Sequence, residues 1–268
     1  MAGGRYISAL LNQDRNTAQG EAISMDQQSA PVDKLIELHR QIRGEETYMH
    51  SIRVRDIVSA CEEPEKLESF ANYFLHYLGE KMAQEFRKVV REPIPLELDL
   101  FSAEDETLWI LTRKLPDLVI PIVSQWRGQC KNDHLAYYIL WPWMYHFGST
   151  DDALWAARES IEKRGILPDE ALTERVTGGQ TDPQELIPTL LDWLGSNHNS
   201  VRQRAANVLG FLVELLPQDD LQPVIAKIGS RIREVGWAGA WQAIRNGMTD
   251  GRRWLASKAD QTSLKTDG

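Results

Sequence analysis

Thiols are scarce in this chain: Cys61 and Cys130 are the only cysteines among 268 residues. They lie far apart and lack metal-ligand spacing, so neither a structural disulfide nor a zinc site is expected, and the default setting is a reducing, cytoplasmic one. No run of residues approaches the roughly 18 apolar positions that a membrane span needs. The opening Met1-Ala2-Gly3-Gly4-Arg5-Tyr6 has no basic segment leading into an apolar core, so no secretory signal is expected. Phosphate loops, dinucleotide fingerprints, His-Glu-x-x-His helices and serine nucleophile elbows are all missing. The six histidines (His39, His50, His76, His134, His146, His198) share no ligand spacing. The expectation is a protein with no catalytic residues, no cofactor and no metal.

What is present is an ordinary globular composition, 42% hydrophobic and 26% charged, which excludes wholesale disorder. Nine tryptophans imply an aromatic-rich core. The net charge of −9 is unevenly spread. Residues 93–195 carry 17 acidic and 8 basic groups, whereas residues 196–268 carry 7 and 10. An acidic middle repels nucleic acid and attracts a basic protein.

Beyond the ends, the chain is helical by pattern, and the fold class read from it is all-α. Residues 1–30 and 257–268 read as a disordered leader and tail, with Met25 an alternative start. Residues 31–92 read as an N-terminal helical bundle. Its spine is the amphipathic series Leu67, Phe70, Phe74, Leu78, Met82, Phe86 and Val89, opened by Pro64. Pro93 and Pro95 interrupt helix, and the alternation of Ile94, Leu96, Leu98 and Leu100 marks 93–101 as an extended linker. Residues 102–256 then carry short helices joined by tight turns. One of these, Leu135–Phe147, is capped by Asn132 or Asp133 and bent at Pro142.

Within that region the stretch Asn199-Ser200-Val201-Arg202-Gln203-Arg204-Ala205-Ala206-Asn207-Val208-Leu209-Gly210 follows a helix whose apolar face is Leu186, Ile187, Leu190 and Leu191. The pair resembles a HEAT repeat over about residues 182–216. Asn199, Val201, Arg202, Ala205, Ala206, Leu209 and Gly210 match the second helix of that repeat. Small residues at Ala205, Ala206 and Gly210 let neighbouring helices approach closely. The resemblance implies a HEAT-like α-α solenoid attached to the N-terminal bundle, with Asn199 and Arg202 hydrogen-bonding across inter-repeat turns. It also implies that the chain works by holding another macromolecule.

Three groups of residues are candidates for contact with a partner. The first is acidic: Glu97, Asp99, Glu104, Asp105, Glu106, Asp151 and Asp152. Helix N-termini attract acidic residues in any case, which is the purely structural account of several of them. The second is aromatic, centred on Trp141 and Trp143 with Tyr137, Tyr138, Tyr145, His146 and Trp155, and reads either as core or as an interface hot spot. The third is the basic and aromatic C-terminal set Arg231, Arg233, Trp237, Trp241, Arg245, Arg252, Arg253 and Trp254, whose structural account is a solvated face on a closing helix.

The leading functional expectation is a non-catalytic binding protein, specifically an acidic immunity-type inhibitor that occludes the active cleft of a basic toxin or enzyme. The alternatives are an adaptor or regulatory subunit of a multiprotein complex, and a HEAT-like nucleic-acid-binding or DNA-repair protein. The partner expected is a basic protein, with neither nucleic acid nor membrane; the pattern leaves the oligomeric state open.

Overall fold

A computed structural model describes residues 54–56, 58–84 and 97–266, with the side chains of 97–103 and 260–266 excepted. Among the described residues the chain is all-α, with no strand. The expected leader 1–30 and the beginning of the expected bundle lie outside them.

Helix α1 (Pro64–Ala83) buries the predicted stripe of Leu67, Phe70, Phe74, Leu78 and Met82, and proline occupies its first position. It ends sooner than the periodicity implies. Gln84 turns extended, and the backbone N–H groups of Lys131 and Asn132 both donate to the Met82 carbonyl (2.8 and 3.2 Å), fixing the helix end through tertiary contact. Phe86 and Val89 lie outside the described residues. Helix α2 (Glu97–Lys114) begins inside the segment expected to be an extended linker. Two prolines bar helix only at and just before themselves, and the acidic residues that follow suit a helix N-terminus. Residues 93–96 are outside the described part.

Helix α3 (Pro116–Gln125) continues into a 3₁₀ turn, Trp126–Gly128. Helix α4 is composite: one α-helical turn at Asp133–Leu135, a π-helical turn at Ala136–Leu140, then α-helix over Trp141–His146. Asn132 caps it through Oδ1, which accepts from the backbone N–H of His134 and Leu135. Pro142 has no N–H to give to the preceding turn, and the wider π turn sits where that hydrogen bond would be missing. The remaining helices are α5 (Thr150–Arg164), α6 (Asp169–Thr177), α7 (Pro183–Trp193), α8 (Asn199–Leu215), α9 (Gln218–Val235) and α10 (Ala240–Thr266). Left-handed glycines, Gly165 and Gly236, close α5 and α9. Helix α10 runs through residues 257–266, where a disordered tail was expected.

From α4 onward, each helix packs beside the one two places further along. Arg175 near the end of α6 donates to carbonyls at the end of α4, and Arg204 near the start of α8 reaches Asp169 at the start of α6. Helix α8 meets α10 in parallel register: Gly247 faces Asn207 and Phe211, while Gly251 faces Phe211 and Glu214. These helices form one layer. In the other, the starts of α5 and α7 meet at Thr150 and Thr181 (3.3 Å between hydroxyls), and those of α7 and α9 meet through Gln184 Nε2 and Asp220 Oδ2 (2.7 Å). The α9 residue Arg231 also donates to the Leu191 carbonyl near the end of α7.

Among the described residues the α8–α10 contact is the most extensive between two helices. Ala205, Ala206 and Gly210 on α8, with Ala240, Ala243, Gly247 and Gly251 on α10, are all buried. The chain between the layers encloses one continuous hydrophobic core extending from Val54 to Ile244. Among the described residues α1 therefore shares its core with α3 and the helices that follow.

Candidate functional site

The aromatic group belongs to the core. Trp143 is fully buried, and its indole N–H donates to Thr112 Oγ1 of α2 (2.8 Å); that hydroxyl in turn donates to the Leu108 carbonyl (2.7 Å). Trp141 is also buried, edge-on to Tyr137 at 5.9 Å. Burial excludes both from a docking surface, which corrects the hot-spot reading of Trp141 and Trp143. Their helix carries a proline and a π turn, so surface and core positions there do not follow simple 3.6-residue spacing.

Most of the predicted acidic residues are likewise engaged. Glu104 accepts from Tyr77 Oη and Lys81 Nζ (both 2.9 Å), and Glu106 pairs with Arg55 (2.7 Å). Asp152 turns inward: it accepts from the Ser149 N–H and from the hydroxyls of Ser149 and Ser124, and meets Arg127 at 3.3 Å. With Ser149 it forms a capping box at the start of α5. Glu97 and Asp99 lie in the first turns of α2, and their side chains are outside the described set. Of the five predicted acids whose side chains are described, Asp151 alone is exposed without a partner shown for it.

Asp105 is a separate case. Burial pushes its carboxyl up to about 7; the indole N–H of Trp109, one helical turn on, offsets this in part, and Glu106 adds repulsion. The Trp109 N–H stops short of hydrogen-bond geometry, leaving Asp105 Oδ1 without a partner. Trp109 itself packs tilted against His146 (4.5 Å) and edge-on to Phe147 (5.1 Å). A carboxyl held half-protonated near neutrality cannot present a steady negative charge to a partner. Its effect falls on stability instead. Because the folded state holds this proton more tightly than the unfolded chain, stability is greatest below the ordinary aspartate value and declines as pH rises toward about 7. Asp105→Asn should match the parent at pH 4 and exceed it by on the order of 2 kcal/mol at pH 8. Urea unfolding at both pH values tests this; equal differences at the two would refute it.

A different acidic feature emerges from the second layer. Because α5, α7 and α9 run in the same direction, their N-termini fall in one row. The row carries Asp151 from α5, Asp182 and Glu185 from α7, and Asp219 and Asp220 from α9. All but Asp220 are exposed, and Asp182 also caps α7 by accepting from the Gln184 N–H (2.8 Å). The Thr150–Thr181 and Gln184–Asp220 contacts join the three starts into a continuous edge. Proline at the first position of α7, and acids in the first turns, are what the helix dipole and the missing N–H partners favour at each start separately. Sequence alone supplied those local preferences, but not that they line up.

Beneath the edge lies Arg175 of α6, buried and bonded through every nitrogen. Nε donates to Thr181 Oγ1 (3.0 Å), Nη1 to the carbonyls of Tyr145 (2.7 Å) and Met144 (3.3 Å), and Nη2 to that of Gly148 (3.0 Å). The carbonyls lie at and just past the end of α4, where that of Met144 also accepts from the Gly148 N–H, so a buried cation meets the negative end of a helix dipole. Desolvation pulls the guanidinium downward, and the inward-turned Asp152 and the edge residue Glu185 partly oppose this. Nothing in the Arg175 neighbourhood of the sequence marks it out from a surface arginine.

No protein-family model, curated protein or solved structure matches this chain.

Of the positions taken from the resemblance, Val201, Ala205, Ala206, Leu209 and Gly210 are buried. The turn contacts differ from the expectation. Arg202 Nη2 donates within its own helix to Asn199 Oδ1 (3.3 Å), and the guanidinium lies over the Trp237 ring. The contacts across to the α5–α6 turn come from Ser200, whose hydroxyl donates to the Gly165 carbonyl (2.9 Å), and from Arg204, which donates to the Leu167 carbonyl (3.2 Å). Among the described residues, no group of three His, Cys, Asp or Glu side chains is placed to hold a metal ion, and no helix is long and apolar enough to cross a membrane.

Proposed function

We propose that this chain is a HEAT-like α-α solenoid that binds another protein without catalysing a reaction, and that its partner is basic. The observation that carries the reading is the parallel packing of each helix on the one two places along, in two layers from α4 to α10. Stacking of that kind makes long, regular faces and edges, which helical-repeat proteins use for macromolecular contact. The edge formed by Asp151, Asp182, Glu185, Asp219 and Asp220 supplies the sign of the partner's charge. It takes over the role first assigned to the acids of α2, leaving Asp151 as the common member.

An inhibitor that captures a basic toxin or enzyme and covers its cleft uses such an edge well, since long-range attraction raises the association rate. An adaptor within a larger assembly is the second reading, favoured by the different character of the C-terminal end. The nucleic-acid reading has less support, because the row of carboxylates repels a phosphate backbone.

The test is capture from native lysate on immobilised protein, with the triple variant Asp182→Lys, Glu185→Lys, Asp219→Lys alongside. The partner's association rate with the parent protein should fall about 10-fold or more between low and high salt. The variant should lose both the binding and its salt dependence. A partner bound equally by both proteins, at a rate indifferent to salt, overturns the proposal.

A further inference from the structure

Two of the three large hydrophobic side chains exposed among the described residues, Trp241 and Leu255, lie on the last helix, α10; the third, Ile166, is in the α5–α6 turn. Trp241 is 43% exposed and Leu255 41%. With half-buried Met248 they recur every seven residues, which sets them in one stripe along the helix. Trp241 does not float free: its ring rests beside Gly229 of α9, with the nearest ring atom 3.7 Å from where a Cβ would stand. The indole is thus held in position while nearly half of it faces solvent.

Among the described residues, Trp241 and Leu255 are left exposed beside the α8–α10 contact. Helix α10 also outruns its support. Gly251 is already opposite Glu214, one residue from the end of α8, and residues 255–259 are exposed in succession. A solitary helix end with an apolar stripe gains little from its own hydrogen bonds in water and much from a second helix laid along it.

The charge flanking the stripe says which helix. Arg245 and Arg252 follow Trp241 and Met248 by four residues on the outer side, and Arg253 lies beyond them, all exposed. Arg245 contacts only neutral Gln242 among its hydrogen-bond partners, while Arg252 and Arg253 reach Glu214 and Asp250. Glu214 and Asp250 offset two of these arginines, so the guanidinium without an acidic partner shown beside the stripe is that of Arg245, on a molecule of net charge −9. A second copy fits the stripe badly. Antiparallel pairing that puts Trp241 against Leu255 also sets Arg245 of one copy beside Arg252 of the other.

We propose that the outer face of α10, built on Trp241, Met248 and Leu255 and flanked by Arg245 and Arg252, docks an amphipathic helix with acidic residues beside its apolar stripe. Such a helix lays its apolar residues on the stripe and its carboxylates on the arginines. The face is at the opposite chemical pole from the acidic edge, and its occupant is a different one. The inference therefore stands independently of the basic partner proposed above.

The experiment uses the full chain and two synthetic helical peptides of about 21 residues. Both carry leucine at the stripe positions; one is flanked by glutamate, the other by lysine, and binding is read by fluorescence anisotropy. The glutamate peptide should bind about 10-fold or more tightly than the lysine peptide. Trp241→Ser should weaken it by about 10-fold or more, and Arg245→Glu should abolish the preference between the two. Ile166→Ser, at an exposed apolar position elsewhere, should change nothing. So should the triple variant of the acidic edge, which separates failure here from failure of the basic-partner reading. Equal binding of the two peptides, binding of neither, or undiminished binding to Trp241→Ser overturns the proposal. So does a dimer in sedimentation that Trp241→Ser dissolves, which would make the face a contact between copies.

Discussion

Gly247→Ala should destabilise the fold by about 3 kcal/mol or more, lowering the thermal midpoint by about 6–12 °C. A Cβ built on Gly247 overlaps the carbonyl oxygen of Asn207 and comes within 2.9 Å of the Phe211 nitrogen. One built on Gly210 overlaps the Ile244 carbonyl oxygen and lies 2.9 Å from the Met248 nitrogen. These obstacles are backbone atoms inside two regular helices, and they cannot rotate away as a side-chain tip can. One methyl group must therefore move α8 and α10 apart along their whole contact, loosening the packing of Ala205, Ala206 and Ala243 as well. The usual gain in helix propensity from glycine to alanine, about 1 kcal/mol, is too small to offset this.

Gly229→Ala is the matched comparison. It is also a buried helical glycine, but its added Cβ would find nothing nearer than 3.7 Å, with only side-chain atoms of Arg233 and Trp241 about it. That variant should be neutral, or more stable by up to about 1 kcal/mol. Calorimetry on the pair decides the matter: similar midpoints for Gly247→Ala and Gly229→Ala would mean that the close helix approach is not a condition of stability.

Arg175→Met carries the second large effect, a loss of about 3–5 kcal/mol. Methionine fills much of the same space but donates nothing, leaving the carbonyls of Tyr145 and Gly148 buried with no side chain to meet them. Arg175→Lys should recover only part of the loss. A lysine ammonium is a single point of donation and cannot span carbonyls on both sides of the α4 terminus while also reaching Thr181. A readout specific to the charge is available at His146. Burial chiefly holds that imidazole below its ordinary value, and Arg175 and Arg113 push it further in the same direction. Removing the Arg175 charge should move the His146 titration upward, as followed by NMR, in Arg175→Met but not in Arg175→Lys. An unmoved titration in both variants would show that the guanidinium does not act on this part of the core.

The all-α class was legible because the signals that set it are local. Pro64 opens α1, Asn132 caps α4, Ser149 caps α5, and Gly165 and Gly236 stop their helices, each by satisfying or ending nearby backbone hydrogen bonds. The buried face of α8 was legible for the same reason, since Val201, Ala205, Ala206 and Leu209 repeat with the helix. Misreadings fell where distant contacts overrule local preference. Helix α1 ends at Ala83 because residues 131 and 132 take the Met82 carbonyl, and the paired tryptophans of α4 are inside because Thr112 and Tyr137 receive them.

The candidate surfaces show the same division more sharply. Residue by residue, Asp151, Asp182, Glu185, Asp219 and Asp220 look like ordinary helix-start acids, and so they are. Asp105 and Asp152 look no different in the sequence, yet one is half-buried with a raised proton affinity and the other is folded into a cap.

The order of residues determined that this chain makes helices, roughly where they start and stop, and which faces of several are apolar, because those properties depend on neighbours within about four positions. Only the tertiary structure decided which carboxylates share an edge, which arginine is buried, and how far α10 runs past the end of α8. Those outcomes depend on residues tens of positions apart meeting at a few ångströms, and on whether a glycine stands where two backbones need to touch.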